Sequence, residues 1–245
     1  MRISKAWIIA TKDMRIFLRK KYAIYSMVLF PLVVSVGLPL VLRFAGARHG
    51  GLSSAQLPII MNSFSFFFLI GAASLPTVLA SYSLVGEKIE KSLEPLLATP
   101  ITDRELLLGK SIAAFIPPIA AIYISAIVFM TLANLVTHNT LSYYYFPNWT
   151  IGLIILLLAP LSAILSIEWS VIVSSRASDA RAAQMQGLFI VIPLAAIYVT
   201  SEVGAISLDT KTLLIISAVI LAADIILFFL STKTFQREEI LTKWT

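Results

Sequence analysis

Residues 151–174 read IGLIILLLAPLSAILSIEWSVIVS, an apolar run broken by a single charge, Glu168. At about 1.5 Å per residue a helix of this length reaches roughly 36 Å, enough to cross the roughly 30 Å of hydrocarbon in a bilayer. Inside lipid a backbone must satisfy its own hydrogen bonds, so the run predicts a transmembrane helix and not an isolated strand. Working outward, five more runs share this character, at 22–42, 59–83, 112–136, 185–203 and 212–231. The run at 185–203 is closed early by Thr200, Ser201 and Glu202. The expected fold class is an all-α integral membrane protein with six transmembrane helices. Composition agrees, since 58% of the 245 residues are hydrophobic and 13% charged, with a mean hydropathy of +0.90, far from the balance of a soluble domain. Little chain remains outside these runs, so 1–245 is expected to be a single membrane domain.

Lysine and arginine close to span ends stay on the cytoplasmic side. Sixteen of the nineteen lie in alternate segments. Arg2, Lys5, Lys12, Arg15, Arg19, Lys20 and Lys21 precede the first span, and the others follow spans two, four and six. The exceptions are Arg43, Arg48 and Lys211. Both termini are therefore expected in the cytoplasm, with the chain in the cell (plasma) membrane. A basic start before an apolar run also suits a secretory signal, but such signals have apolar regions of only about 7–15 residues and no succession of further spans. Within 1–21, Ile3, Trp7, Ala10, Met14 and Phe17 recur at helical spacing, which predicts an amphipathic helix in the cytoplasmic interface, with a disordered basic tail as the alternative. The net charge of +6 sits at membrane margins, so membrane lipids with anionic headgroups are the expected partner and nucleic acid is not. The absence of cysteine excludes disulfides and thiolate chemistry.

The loops on the other side, about 43–58, 137–150 and 204–211, are too short for a folded extracytoplasmic domain. Tyr143, Tyr144, Tyr145 and Trp149 read as an aromatic anchor at headgroup level, and Asn148, Trp149 and Thr150 form a glycosylation triplet. His49 and His138 are expected as solvated residues of outer loops, without metal-ligand spacing.

The largest cytoplasmic loop, 86–110, reads GEKIEKSLEPLLATPITDRELLLGK. On a helical wheel Glu87, Glu90 and Glu94 share one arc, while Ile89, Leu93, Leu96 and Leu97 occupy another. Pro95 and Pro100 end that helix, and Thr102 with Glu105 forms a capping-box pattern that starts a second one at Asp103 and leads into span three. The alternative is that the apolar arc lies on lipid and the acids face water.

At these residues the chain resembles the permease subunits of type-2 ATP-binding-cassette (ABC) transporters. The resemblance rests on Glu87, Glu90, Leu93, Glu94, Leu96, Leu97, Pro100, Gly109 and Lys110, and on the layout of an interfacial helix, six spans and a tail reading Phe235, Gln236, Arg237, Glu238, Glu239. It implies the type-2 ABC permease fold and a half-transporter that forms a homo- or heterodimer with a second permease subunit. It further implies export of an unidentified substrate, driven by a separate ABC ATPase subunit that uses ATP and Mg and docks through 86–110. The ATPase-coupling residues it implies are the nine above together with Glu105.

No phosphate cradle of the form G-x-x-x-x-G-K-[ST] occurs: Lys110 and Ser111 follow Gly109, but Arg104 stands where the first glycine is needed. The chain is thus expected to bind no cofactor or metal and to be no enzyme. Glu168 and Asp224 lie inside spans, where a charge facing lipid costs several kcal/mol, so both are expected to face protein or water. They read either as part of a substrate or proton path or as structural, with Arg176 or Ser170 as a partner for Glu168. Used as ion sites, they would support a competing reading as a secondary transporter or channel; a membrane scaffold is a third. Seven of the eleven prolines fall inside spans, Pro31, Pro39, Pro76, Pro117, Pro118, Pro160 and Pro193, and Pro117–Pro118 is the expected kink.

Overall fold

The computed structural model describes residues 3–19, 21–48, 54, 56–89, 101–177, 179–203 and 205–234. Among the described residues there is helix and turn but no strand. Helix α1 (Ile3–Phe17) precedes the bundle. Span one consists of α2 (Lys21–Leu32) and α3 (Leu38–Arg48), joined by the π-helical turn Val33–Gly37. Helices α4 (Gln56–Ile89) and α5 (Asp103–Leu141) form spans two and three. Span four is α6 (Trp149–Leu153), a π-helical turn at Ile154–Leu158, and α7 (Ala159–Arg176). Helices α8 (Ala180–Gly187) and α9 (Val191–Glu202), linked by a 3-10 turn at Leu188–Ile190, form span five, and α10 (Thr210–Thr234) is span six. Six stretches are long and apolar enough to cross a membrane, one for each expected run.

Helices α4 and α5 overrun the expected span ends. At the start of α5 the Thr102 hydroxyl accepts from the Glu105 N–H at 3.3 Å, and Glu105 Oε2 accepts from the Thr102 N–H at 3.1 Å. This reciprocal cap satisfies two otherwise orphaned N–H groups, so the helix begins nine residues before the apolar run does. At the other end Ser142 adopts a left-handed conformation (φ 61°) and donates its N–H to His138 O at 2.8 Å. His138 therefore belongs to the last turn of α5 rather than a loop, stacked on Tyr144 at 4.8 Å; His49 lies outside the described residues.

Helix α4 is the central post, packed on α5, α7 and α9. Its spanning window is 78% buried, against 17% for span five and 22% for span six, which present their apolar sides outward. Lipid tails are as apolar as leucine, so helices associate through close packing rather than escape from water. The chain supplies small residues for that approach: Ala72 and Ala73 of α4, Ala113, Ala114 and Ala133 of α5, and Ala159 and Ala163 of α7 are all completely buried. Buried hydroxyls such as Ser65, Thr77, Thr137 and Ser166 donate to carbonyls of the preceding turn, which keeps them satisfied without a neighbour.

Not every proline in a span interrupts its helix. Helix α5 runs through Pro117 and Pro118 without a break. Within the described spans α geometry gives way at the 3-10 turn Leu188–Ile190 and at two π-helical turns, and each π-helical turn contains the residue four positions before a proline: Ser35 before Pro39, and Leu156 before Pro160. A proline ring clashes with that carbonyl and offers it no N–H, and widening the turn by one residue accommodates both effects.

The end of the bundle carrying Tyr143–Tyr145 is tied by asparagines. Asn134 Oδ1 accepts from the N–H groups of Tyr145 and Phe146 at 3.1 and 3.0 Å, and its Nδ2 donates to Phe146 O at 2.7 Å. Asn148 caps α6 by accepting from the Ile151 N–H at 2.9 Å and donates to Asn62 Oδ1 at 3.0 Å. Both atoms of the amide in the glycosylation triplet are thus engaged in packing. Burial pushes the Tyr145 phenol up, while a hydrogen bond to Asn62 acts in the opposite sense. Tyr143, Tyr144 and Trp149 are exposed, as an aromatic anchor requires.

Candidate functional site at the loop end of the bundle

Most of the resemblance-derived coupling residues, Glu90, Leu93, Glu94, Leu96, Leu97 and Pro100, lie outside the described residues. Glu87 is in the last turn of α4. Their immediate supports are described, and they centre on α1. At about 100° per residue Ala6, Ile9, Ala10, Asp13 and Phe17 share one face, and these are the buried residues of the helix. The expected stripe through Ile3, Trp7, Ala10, Met14 and Phe17 is rotated from it by roughly 60°, and Trp7 is 52% exposed. A helix at an interface has two apolar neighbours, lipid and protein, and hydrophobicity alone marks the first as readily as the second.

The protein-facing side carries a charge because its partner is charged. Asp13 and Lys110 are both buried, 4% and 2% exposed, with Nζ 3.4 Å from Asp13 Oδ2. That separation is long for a hydrogen bond. Ser83 of α4 closes the gap, its hydroxyl accepting from Lys110 Nζ at 3.0 Å and donating to Asp13 Oδ2 at 2.9 Å. Lys110 Nζ also donates to Ser83 O at 3.0 Å. Lys12, half exposed and 3.8 Å from Asp13 Oδ1, adds little in water. One buried polar knot thereby joins α1 to the loop ends of spans two and three, which flank residues 90–100.

Gly109 makes the same junction possible sterically. A Cβ at this position would lie 2.7 Å from Ala6 O and 2.8 Å from Ile9 Cβ, so only glycine lets α1 rest on α5 at this depth. Of the coupling residues that are described, Glu105, Gly109 and Lys110 are interior: Glu105 caps α5, Gly109 seats α1 and Lys110 binds Asp13 and Ser83. Asp13 was not singled out from the sequence, although a signal existed. It is the first acid in the chain, with none before Glu87 and strongly basic neighbours on both sides.

The intramembrane acids are elsewhere. Glu168 in α7 and Asp224 in α10 are buried, on two helices that pack against each other. Neither Glu168 Oε2 nor either Asp224 oxygen has a hydrogen-bond partner among the described residues, and the Ser170 hydroxyl does not serve as one. No group of three or more His, Asp or Glu side chains fit to hold a metal occurs among the described residues.

The sequence that forms this bundle matches a known family of membrane proteins. The family described as ABC-2 family transporter protein matches the chain over residues 7–214, from the middle of α1 into the first turns of α10. No curated protein matches the chain closely enough to count as a relative. With six membrane-length helices and a family match over most of its length, the chain belongs to the ABC-2 family of transporter proteins.

Proposed function

We propose that this chain is the transmembrane permease subunit of an ATP-driven exporter in the plasma membrane, a single membrane domain with α1 and both termini on the cytoplasmic side. It pairs with a second permease, identical or not, and takes its energy from a separate ABC ATPase that holds ATP and Mg. Docking falls to residues 86–110, with the acids Glu87, Glu90 and Glu94 turned to the ATPase. The observation that carries the reading is the Asp13–Ser83–Lys110 knot: a loop whose two flanking helices are locked to one another and to α1 moves them as a unit when pushed. The test is double charge reversal, Glu90→Lys with Glu94→Lys. Membrane insertion is expected to persist, because lysine is favoured on this side. Loss of close interfacial charge pairs, worth about 1.5–7 kcal/mol when desolvated, is expected to abolish co-purification with the ATPase and uncouple transport from hydrolysis. Normal assembly and transport in the double variant would remove the acids from the docking surface.

The orientation has its own test. Tyr144, exposed beyond the end of α5, serves as the reporter on the far side. Membrane-impermeant thiol reagents are expected to label Tyr144→Cys in intact cells and Ser92→Cys only after the membrane is opened. The reverse pattern inverts the topology.

A further inference from the structure

Between α5, α7 and α10, toward the end that carries the Asp13 knot, lies a cavity of roughly 590 Å³, within the about 300–1,000 Å³ usual for small-molecule sites. Its wall is mostly aliphatic and aromatic, with Leu108, Phe115, Phe228 and Phe229 among its lining, and it contains one acid, Glu168. Arg104, in the first turn of α5, is exposed at its rim. Phe115 lies about 16 Å further along the same helix, so the cavity reaches from the rim well into the spanning region.

Glu168 is 9% exposed, lines this cavity, and has no hydrogen-bond partner for Oε2 among the described residues. Asp224, on the neighbouring α10, is buried with no hydrogen-bond partner for either oxygen among the described residues. An acid in such surroundings either keeps its proton or is answered by positive charge, and a cation bound beside it stabilises the ionised form. A small metal ion is poorly served, because Mg²⁺ or Ca²⁺ takes six or more oxygen ligands and this wall is largely hydrocarbon. An organic cation is well served, since the faces of phenylalanine rings attract diffuse positive charge and the aliphatic wall receives its apolar body.

We propose that this cavity binds a lipophilic organic cation of the ammonium or phosphonium type, its body against Leu108 and Phe115 and its charge answered by Glu168. That such a cation is cargo rests on the transport reading above; that it binds does not. An anionic lipid held by its phosphate at Arg104 is disfavoured, because its acyl chains would cover an uncompensated acid.

The experiment is equilibrium dialysis of the purified full-length chain in neutral detergent against tetraphenylphosphonium and tetraphenylborate, ions of matched shape and opposite charge. Saturable binding of tetraphenylphosphonium alone is expected. Glu168→Gln is expected to weaken it about tenfold or more, and Leu108→Trp, which fills the cavity and leaves the acid in place, to abolish it. Arg104→Gln is expected to leave it intact. Equal binding of the two ions, affinity undiminished by Glu168→Gln or by Leu108→Trp, or binding lost on Arg104→Gln would overturn the proposal. Binding as expected, with no effect of the cation on ATP hydrolysis by the assembled transporter, would keep the site and remove the cargo role.

Discussion

Lys110→Met is expected to be among the most damaging single substitutions in the chain, and adding Asp13→Asn to it is expected to repair most of the harm. Removing one member of a buried ion pair strands the other, at about 3–5 kcal/mol, whereas removing both leaves neutral groups in a site already closed to water. Ser83 distinguishes this from a simple ion pair. The direct Nζ to Oδ2 distance is 3.4 Å, so the serine hydroxyl fixes the geometry while the charges compensate each other. Ser83→Ala should therefore loosen the knot by about 0.5–1.5 kcal/mol without stranding a charge. Unfolding in detergent gives the energies, and protease cleavage within residues 1–21 reports whether α1 has come away. If Lys110→Met is as stable as the parent, or if the double variant is no better than the single, Asp13 and Lys110 are not mutually compensating.

The second large effect is expected at Gly109. A Cβ there meets a backbone carbonyl and a β-carbon on α1, neither of which can rotate aside. Gly109→Ala is expected to cost about 1–3 kcal/mol and to lift α1 from the bundle, with Gly109→Val worse. Gly71 is a gentler case, because its obstacles are the outer atoms of the Phe30 and Ile122 side chains. Gly152 has nothing within 4 Å, so Gly152→Ala should be neutral or gain up to about 1 kcal/mol from helix propensity. An equal response at 109 and 152 would show that α1 does not rest on α5 as described.

What the sequence reveals and what it hides divides along physical lines. Span count is legible because crossing hydrocarbon imposes a length and an apolarity that few alternatives share. The Thr102–Glu105 cap is legible because its partners are three residues apart. The buried face of α1 is not, because Asp13 finds its partners 70 and 97 positions away. Glu168 shows the opposite failure: Ser170, the nearby hydroxyl offered as its partner, leaves Oε2 unsatisfied. The prolines are only partly legible, because the same residue type is absorbed without a break at Pro117 and Pro118 but accompanies a widened turn before Pro39 and Pro160. The acids at 87–94 are legible as an arc, yet an arc of charge does not state what it faces.

Helix α5 is 39 residues without interruption, about 58 Å of rod. One end begins at the Thr102 cap; near the other, Asn134 grips the Tyr145–Phe146 turn. Its loop end is seated on α1 at Gly109 and Lys110, and its remaining length packs on α4 and α7. A tilt of about 10° swings each tip by about 5 Å in opposite directions. Any such tilt would carry the Thr102–Glu105 cap and the asparagine clasp in opposite directions as the two ends of one helix.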